Sequence, residues 1–143
     1  MNFERTLLER IDSGESDNVR LELDHHILAD SILINIVNVL NTRRGNAIAQ
    51  PRLGMPDLND LVRFFPNTLG EITQSIAENI TLYEPRVSRE KISIDQIIDE
   101  HDPFHLKFEV KLNVKAIDCL MVFRLVIVDS GRMMGQLRFV KKN

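Results

Sequence analysis

The sequence predicts an α+β fold: N-terminal helices packed on one face of a C-terminal antiparallel sheet, arranged as a meander. Three observations predict it. Apolar residues recur every three or four positions in the segments before Tyr83. They alternate strictly from Phe104 to Ala116, the signature of a strand with one wet face. Asp129-Ser130-Gly131-Arg132 then separates two more apolar runs as a hairpin turn. Helices followed by hairpin-linked strands give an α+β layer. At 143 residues the chain is expected to form one domain, 1–143, with 1–20 a short helix and loop.

Phe3, Leu7, Leu8 and Ile11 mark the first short helix. The polar stretch "IDSGESDN" reads as a loop. The second helix is expected from Asp24, its N-cap, to Leu40. Ile27, Leu28, Ile32, Leu33, Ile36, Val37, Val39 and Leu40 give it a wide apolar stripe, as for a central core helix. Gly45 in "NTRRGN" suits the left-handed position beyond a helix end. A connection with three prolines follows. Within it Asp57 can cap a short helix carrying Leu58, Leu61 and Val62. Thr68 and Glu71 have capping-box spacing. Leu69, Ile72, Ile76, Ile80 and Tyr83 step along one helical face, and Pro85 ends that helix at Glu84.

"REKISI" reads as a strand. "CLMVFRLVIV" is apolar on both faces apart from Arg124, so it belongs inside the sheet. "MMGQLRFV" is the last strand, and Lys141 to Asn143 form a polar tail.

Several kinds of chemistry find little support. A net charge of −3 gives no reason to expect nucleic acid. The first residues include early acids and no long apolar run, unlike a secretory signal. No stretch approaches the ~20 apolar residues of a membrane span. The single cysteine, Cys119, has apolar neighbours and reads as a buried thiol. His25 and His26 are adjacent, and His101 and His105 flank "DPF", so metal-ligand spacing is absent. No nucleophile elbow or phosphate-binding glycine loop occurs, and no cofactor is expected. Arg43 and Arg44 suit a helix C-terminus. Lys107, Lys111 and Lys115 suit a solvated strand face. Glu15 and Asp24 have the Glu–Asp spacing of phage-type lysozymes, but Asp30 stands where their Thr should be. A peptidoglycan-cleaving muramidase is therefore the alternative function, from a different class.

The corner "YEPR" carries the sharpest question. Opposite charges flank a proline between the last helix and the first strand. Arg86 can hold a carboxylate in a bidentate grip, either Glu84 or one on a partner. The pair is a corner brace or a hook.

"VLNTRRGN", "PRLGMPDLNDL" and "ITLYEPRVSREKISI", in this order, resemble the baseplate wedge family of contractile injection machines. That family includes the phage "lysozyme-like" wedge subunit and its type VI secretion counterpart, TssE. The resemblance covers roughly residues 20–140, and the short single domain is closer to the type VI member. It implies a cytoplasmic, non-catalytic part of a baseplate anchored at the inner membrane of a Gram-negative bacterium. It implies docking to the wedge proteins TssF and TssG through Glu84, Pro85 and Arg86. It also implies strand pairing with the sheath proteins TssB and TssC, with no membrane insertion. The candidate pairing strand is the last one: Met133, Met134, Gln136, Leu137, Arg138, Phe139 and Val140. An unpaired edge there can accept an added strand. Leu53 departs from the family's usual aromatic, so the resemblance implies no aromatic contact there.

Overall fold

The computed structural model describes residues 16–42, 53–128 and 131–143. The first short helix, Gly45, Arg43 and Arg44 lie outside these residues. Helices α1 (Ser16–Asn41), α2 (Leu58–Arg63) and α3 (Leu69–Tyr83) precede strands β1 (Ser93–Ile97), β2 (Leu106–Val114), β3 (Cys119–Ile127) and β4 (Met133–Lys142). The strands pair antiparallel in the order β1-β2-β3-β4. The expected helix-then-meander architecture is what forms.

The core lies between the helices and one sheet face. Ile32, Leu33, Ile36 and Leu40 of α1 and Ile72, Ile76 and Ile80 of α3 meet Phe108, Val110 and Leu112 of β2 and Met121, Phe123 and Leu125 of β3. These are the positions that helical periodicity and strand alternation select. β3 runs between β2 and β4, which is why it is apolar on both faces.

α1 begins at Ser16, not Asp24. Arg20 and Glu22 are exposed on its early turns, and Val19 is already buried. Asp24 is thus an exposed residue inside the helix and caps nothing. Ile27 of the expected stripe is more than half exposed, as is Ile34 outside it: so wide a stripe exceeds what one sheet face can cover. By length and composition Val19–Asn41 could cross a membrane, contrary to the sequence reading. Its fully buried residues instead pack into the core of this domain.

Asp57 caps α2 as expected, its side chain accepting from the Asn59 N–H at 3.0 Å. The capping box at Thr68 does not form. The Thr68 hydroxyl donates to the Leu61 carbonyl instead and ties α2 to α3. α3 ends at Tyr83, before Pro85, as expected. Arg89–Lys91 form a 3-10 turn, so β1 starts only at Ser93. β2 is shorter than its alternation, because Phe104 and His105 belong to the preceding loop. Lys107 does lie off the core, but it is no free surface lysine. Its Nζ grips Asp99 at 2.7 Å and Asp102 at 3.2 Å; these bonds raise its own pKa and lower that of Asp99, while the bond from His105 and then that from Lys107 lower that of Asp102.

Gly131, at φ +76°, turns the β3–β4 hairpin, and the Arg132 carbonyl accepts from the Val128 N–H. β4 continues to Lys142, so only Asn143 remains as a tail. A β-bulge at Arg138 shifts the pairing: Phe123 faces Leu137, while Val122 faces Phe139. The bulge lets Met133, Leu137 and Val140 all turn toward the helices despite their uneven spacing.

α1 crosses closest at Gly135. A Cβ there would stand 2.6 Å from Val37 Cγ2 and 3.0 Å from Leu33 Cδ1. Val37 is β-branched and cannot swing away cheaply. Gly135→Ala is therefore expected to destabilise the domain by about 1–3 kcal/mol through overpacking. Urea unfolding checks it, and an unchanged midpoint would mean that α1 shifts freely on β4.

Candidate partner-binding site

The corner is built from three elements. Helix α3 delivers Glu84, and Pro85 turns the chain. Arg86 and Ser88 then pair with the end of β2, through Lys115 N–H to the Arg86 carbonyl (3.0 Å) and Ser88 N–H to the Asn113 carbonyl (2.8 Å). Glu84 is only 2% exposed. Its carboxylate receives Arg86 Nε at 2.8 Å and Nη2 at 2.9 Å, the Arg86 backbone N–H at 3.0 Å, and Asn35 Nδ2 of α1 at 2.8 Å. Burial alone would raise the Glu84 pKa. The bonds from Arg86 and Asn35 outweigh it and hold the carboxyl below its ordinary 4.5. The same pairing raises the Arg86 pKa.

Arg86 differs from its partner. Its side chain is 38% exposed and reaches α1, donating from Nη1 to the Ser31 hydroxyl at 2.9 Å. Ile27 and Ile34, the two exposed isoleucines of α1, lie one helical turn on either side of Ser31. The outer surface of the corner is thus a half-exposed guanidinium flanked by apolar side chains. Periodicity assigned Ile27 to the core; only the position of the sheet shows which side of α1 it covers.

The second candidate surface is β4. It forms an edge of the sheet. Met133 is buried, Leu137 and Val140 are half-buried, and Met134, Gln136, Arg138 and Phe139 are exposed. Asn41 of α1 accepts from the Met133 N–H at 2.7 Å and donates to its carbonyl at 2.9 Å. The Met133 groups therefore point away from β3. Ladder alternation turns those of Gly135 and Leu137 the same way and aims those of Gln136 at β3.

One helix supports both surfaces. Ser31 and Asn35 of α1 hold the corner, while Leu33, Val37 and Asn41 lie against β4. Asn41 and the buried Asn79 were not singled out in the sequence. Asn79 clasps the backbone of Gly54, accepting from its N–H at 2.7 Å and donating to its carbonyl at 3.0 Å.

Nothing comparable supports the lysozyme-like spacing. Glu15 lies outside the described residues, and Asp24 and Asp30 are exposed on α1. Cys119 is buried, with His25 Nδ1 3.7 Å from its sulfur; burial, then the charge of Asp118, pushes its pKa up. That is the opposite of an activated thiol.

A family model described as baseplate wedge protein gp25 matches residues 26–118. The chain belongs to the gp25 baseplate wedge family. Its role is that of a structural baseplate component. The match covers α1 from His26 through the turn before β3, including the whole corner. Among solved structures, a chain of the baseplate complex from the type VI secretion system is 21% identical with a TM-score of 0.51. The alignment covers 90% of this chain and 99% of that one. A protein from Geobacter sulfurreducens described as a tail lysozyme is 22% identical with a TM-score of 0.47, over 80% of this chain and 91% of that one. No curated protein matches the chain. At these identities the structural likeness concerns the fold, and the wedge family rests on the sequence match.

Proposed function

We propose that this wedge protein is the TssE-type subunit of a type VI secretion baseplate. In this reading it works without catalysis, in the cytoplasm of a Gram-negative bacterium, on a baseplate anchored at the inner membrane. It docks to the TssF–TssG wedge through the corner and starts the TssB–TssC sheath by lending β4 as a template. The observation that carries the reading is an edge strand whose Gly135 and Leu137 backbone groups face outward beyond the Asn41 clasp. Backbone groups of that kind are satisfied by an added strand.

The corner role divides between its residues. Glu84 is the brace, because its carboxylate is enclosed. The hook is the exposed side of Arg86 with Ile27 and Ile34 beside it. Pro85 fixes φ near −65° and so limits the ordering cost of docking.

Two variants test the two surfaces separately. Leu137→Pro removes an outward N–H, which an edge strand tolerates. It is expected to abolish sheath assembly while wedge binding survives. Gln136→Pro, whose N–H serves the β3 ladder, is expected to unfold the sheet instead. The double variant Ile27→Ser, Ile34→Ser is expected to fold normally and lose TssF–TssG in a pull-down. Circular dichroism establishes folding first. Normal sheath growth on folded Leu137→Pro protein would remove β4 as the template.

A further inference from the structure

Strand alternation sends Leu120, Val122, Arg124 and Val126 of β3 to the sheet face away from the helices. The register sets Lys141, Phe139, Gln136 and Met134 of β4 beside them in the same rows. None of the apolar members packs with the core between helices and sheet. Met134 is 56% and Phe139 46% exposed. Val122 is buried on this outer face nonetheless.

Arg124 stands in the middle of this apolar strip. Its Nε is shut away from water and has no hydrogen-bond partner. Glu109 lies directly across on β2 and Gln136 on β4, yet neither bonds to that nitrogen. A buried donor left unmade is costly in the free protein. Such groups are rare in native folds, and each asks for an acceptor or a purpose. Lys111 stands opposite Val122 and Lys141 opposite Leu120, while Lys107, opposite Val126, is held by Asp99 and Asp102.

We propose that this face docks an amphipathic helix of a partner protein, with one carboxylate set in its apolar stripe. Arg124 is half-buried, and its side chain turns on docking so that the carboxylate reaches Nε and completes its hydrogen bonding. The apolar stripe covers Val122, Val126, Met134 and Phe139. Open sheet faces are covered by helices, whereas strands add at edges. From Leu120 to Val126 the strip is about 20 Å long at the rise of a strand. About 13 residues of helix span that length, or between three and four turns. This surface is distinct from the backbone edge of β4, so its occupant and the sheath strand do not compete for the same groups.

The experiment places a photo-crosslinking residue at Met134, and separately at Phe139, in the full chain within its native cell. Captured peptides are identified by mass spectrometry. The expected product is a helical segment of another protein, with apolar residues at three- and four-residue spacing around an acidic one. Arg124→Glu is expected to lower the yield about tenfold or more, through like-charge repulsion. Reversing the captured carboxylate to Arg should restore it. Arg124→Gln is expected to lower the yield as well, with a melting temperature unchanged or raised, because no bond of the free protein is lost. Capture of residues 1–15 of the same chain, of a second copy, or of nothing would overturn the proposal. So would a yield indifferent to both Arg124 variants. A captured acidic helix from outside any baseplate would keep this surface and remove the type VI reading, so the two fail separately.

Discussion

Arg86→Ala should lower the stability of the free protein by about 2–4 kcal/mol at neutral pH. Removing one member of a buried ion pair costs about 3–5 kcal/mol, because the other charge stays buried. The value here is smaller, since Arg86 is partly in water and Glu84 retains Asn35 and the residue 86 N–H. The pH dependence identifies the cause. In the native protein the Glu84 pKa lies below its unfolded value. Its contribution is therefore present above about pH 4.5 and is lost as pH falls through the folded pKa. In Arg86→Ala the burial effect prevails and the folded pKa rises above the unfolded one. That variant is penalised as pH rises above about 4.5, the unfolded value, and relieved in acid. The stability gap between the two proteins should thus narrow from pH 7 to pH 4 in urea titrations. A gap that is absent at pH 7, or constant with pH, would show that Glu84 and Arg86 do not brace the corner.

Asn79→Leu should be of similar size. Leucine fills a comparable space but leaves the buried N–H and carbonyl of Gly54 without their partner. Each unmade buried group costs about 1–3 kcal/mol, so a loss of about 2–4 kcal/mol is expected after partial hydration. Gly54 sits at φ +94°, a conformation other residues seldom adopt. The clasp therefore holds the connection where it returns from α1 toward α2. Chemical denaturation measures the loss, and amide exchange at Gly54 should speed up in the variant. Native-like protection of that amide would mean that another group takes over the clasp.

The layout was legible wherever apolar spacing reports burial directly. Ile72, Ile76 and Ile80 gave the buried face of α3, and Phe108, Val110, Leu112 and Val114 gave that of β2. Arg124 was visible as the lone charge in β3, and Glu84 and Arg86 as a pair around a proline. What stayed hidden depends on long-range partners. Nothing in the sequence singles out Asn35, Asn41 or Asn79, yet each bonds a group more than twenty residues away. Thr68 had the right spacing for a cap, and a nearer carbonyl claimed its hydroxyl. The bulge at Arg138 leaves no composition signal, because one extra residue in a short strand changes alternation too little to be read. The enclosure of Glu84, on which the proposed division into brace and hook rests, is supplied by no spacing rule.

The clasp of Asn41 on Met133 has a consequence for geometry beyond stability. A side-chain amide presents a donor and an acceptor side by side, as an extended residue of a strand does. At Met133 it acts as a single rung of a missing fifth strand. An incoming chain that slid toward the hairpin would find that rung taken. Its first open rung is Gly135, and the bulge at Arg138 interrupts the ladder further on. Between these two marks the open rungs are Gly135 and Leu137. On the strand pairing proposed above, the asparagine serves as a stop that tells the next strand where to begin.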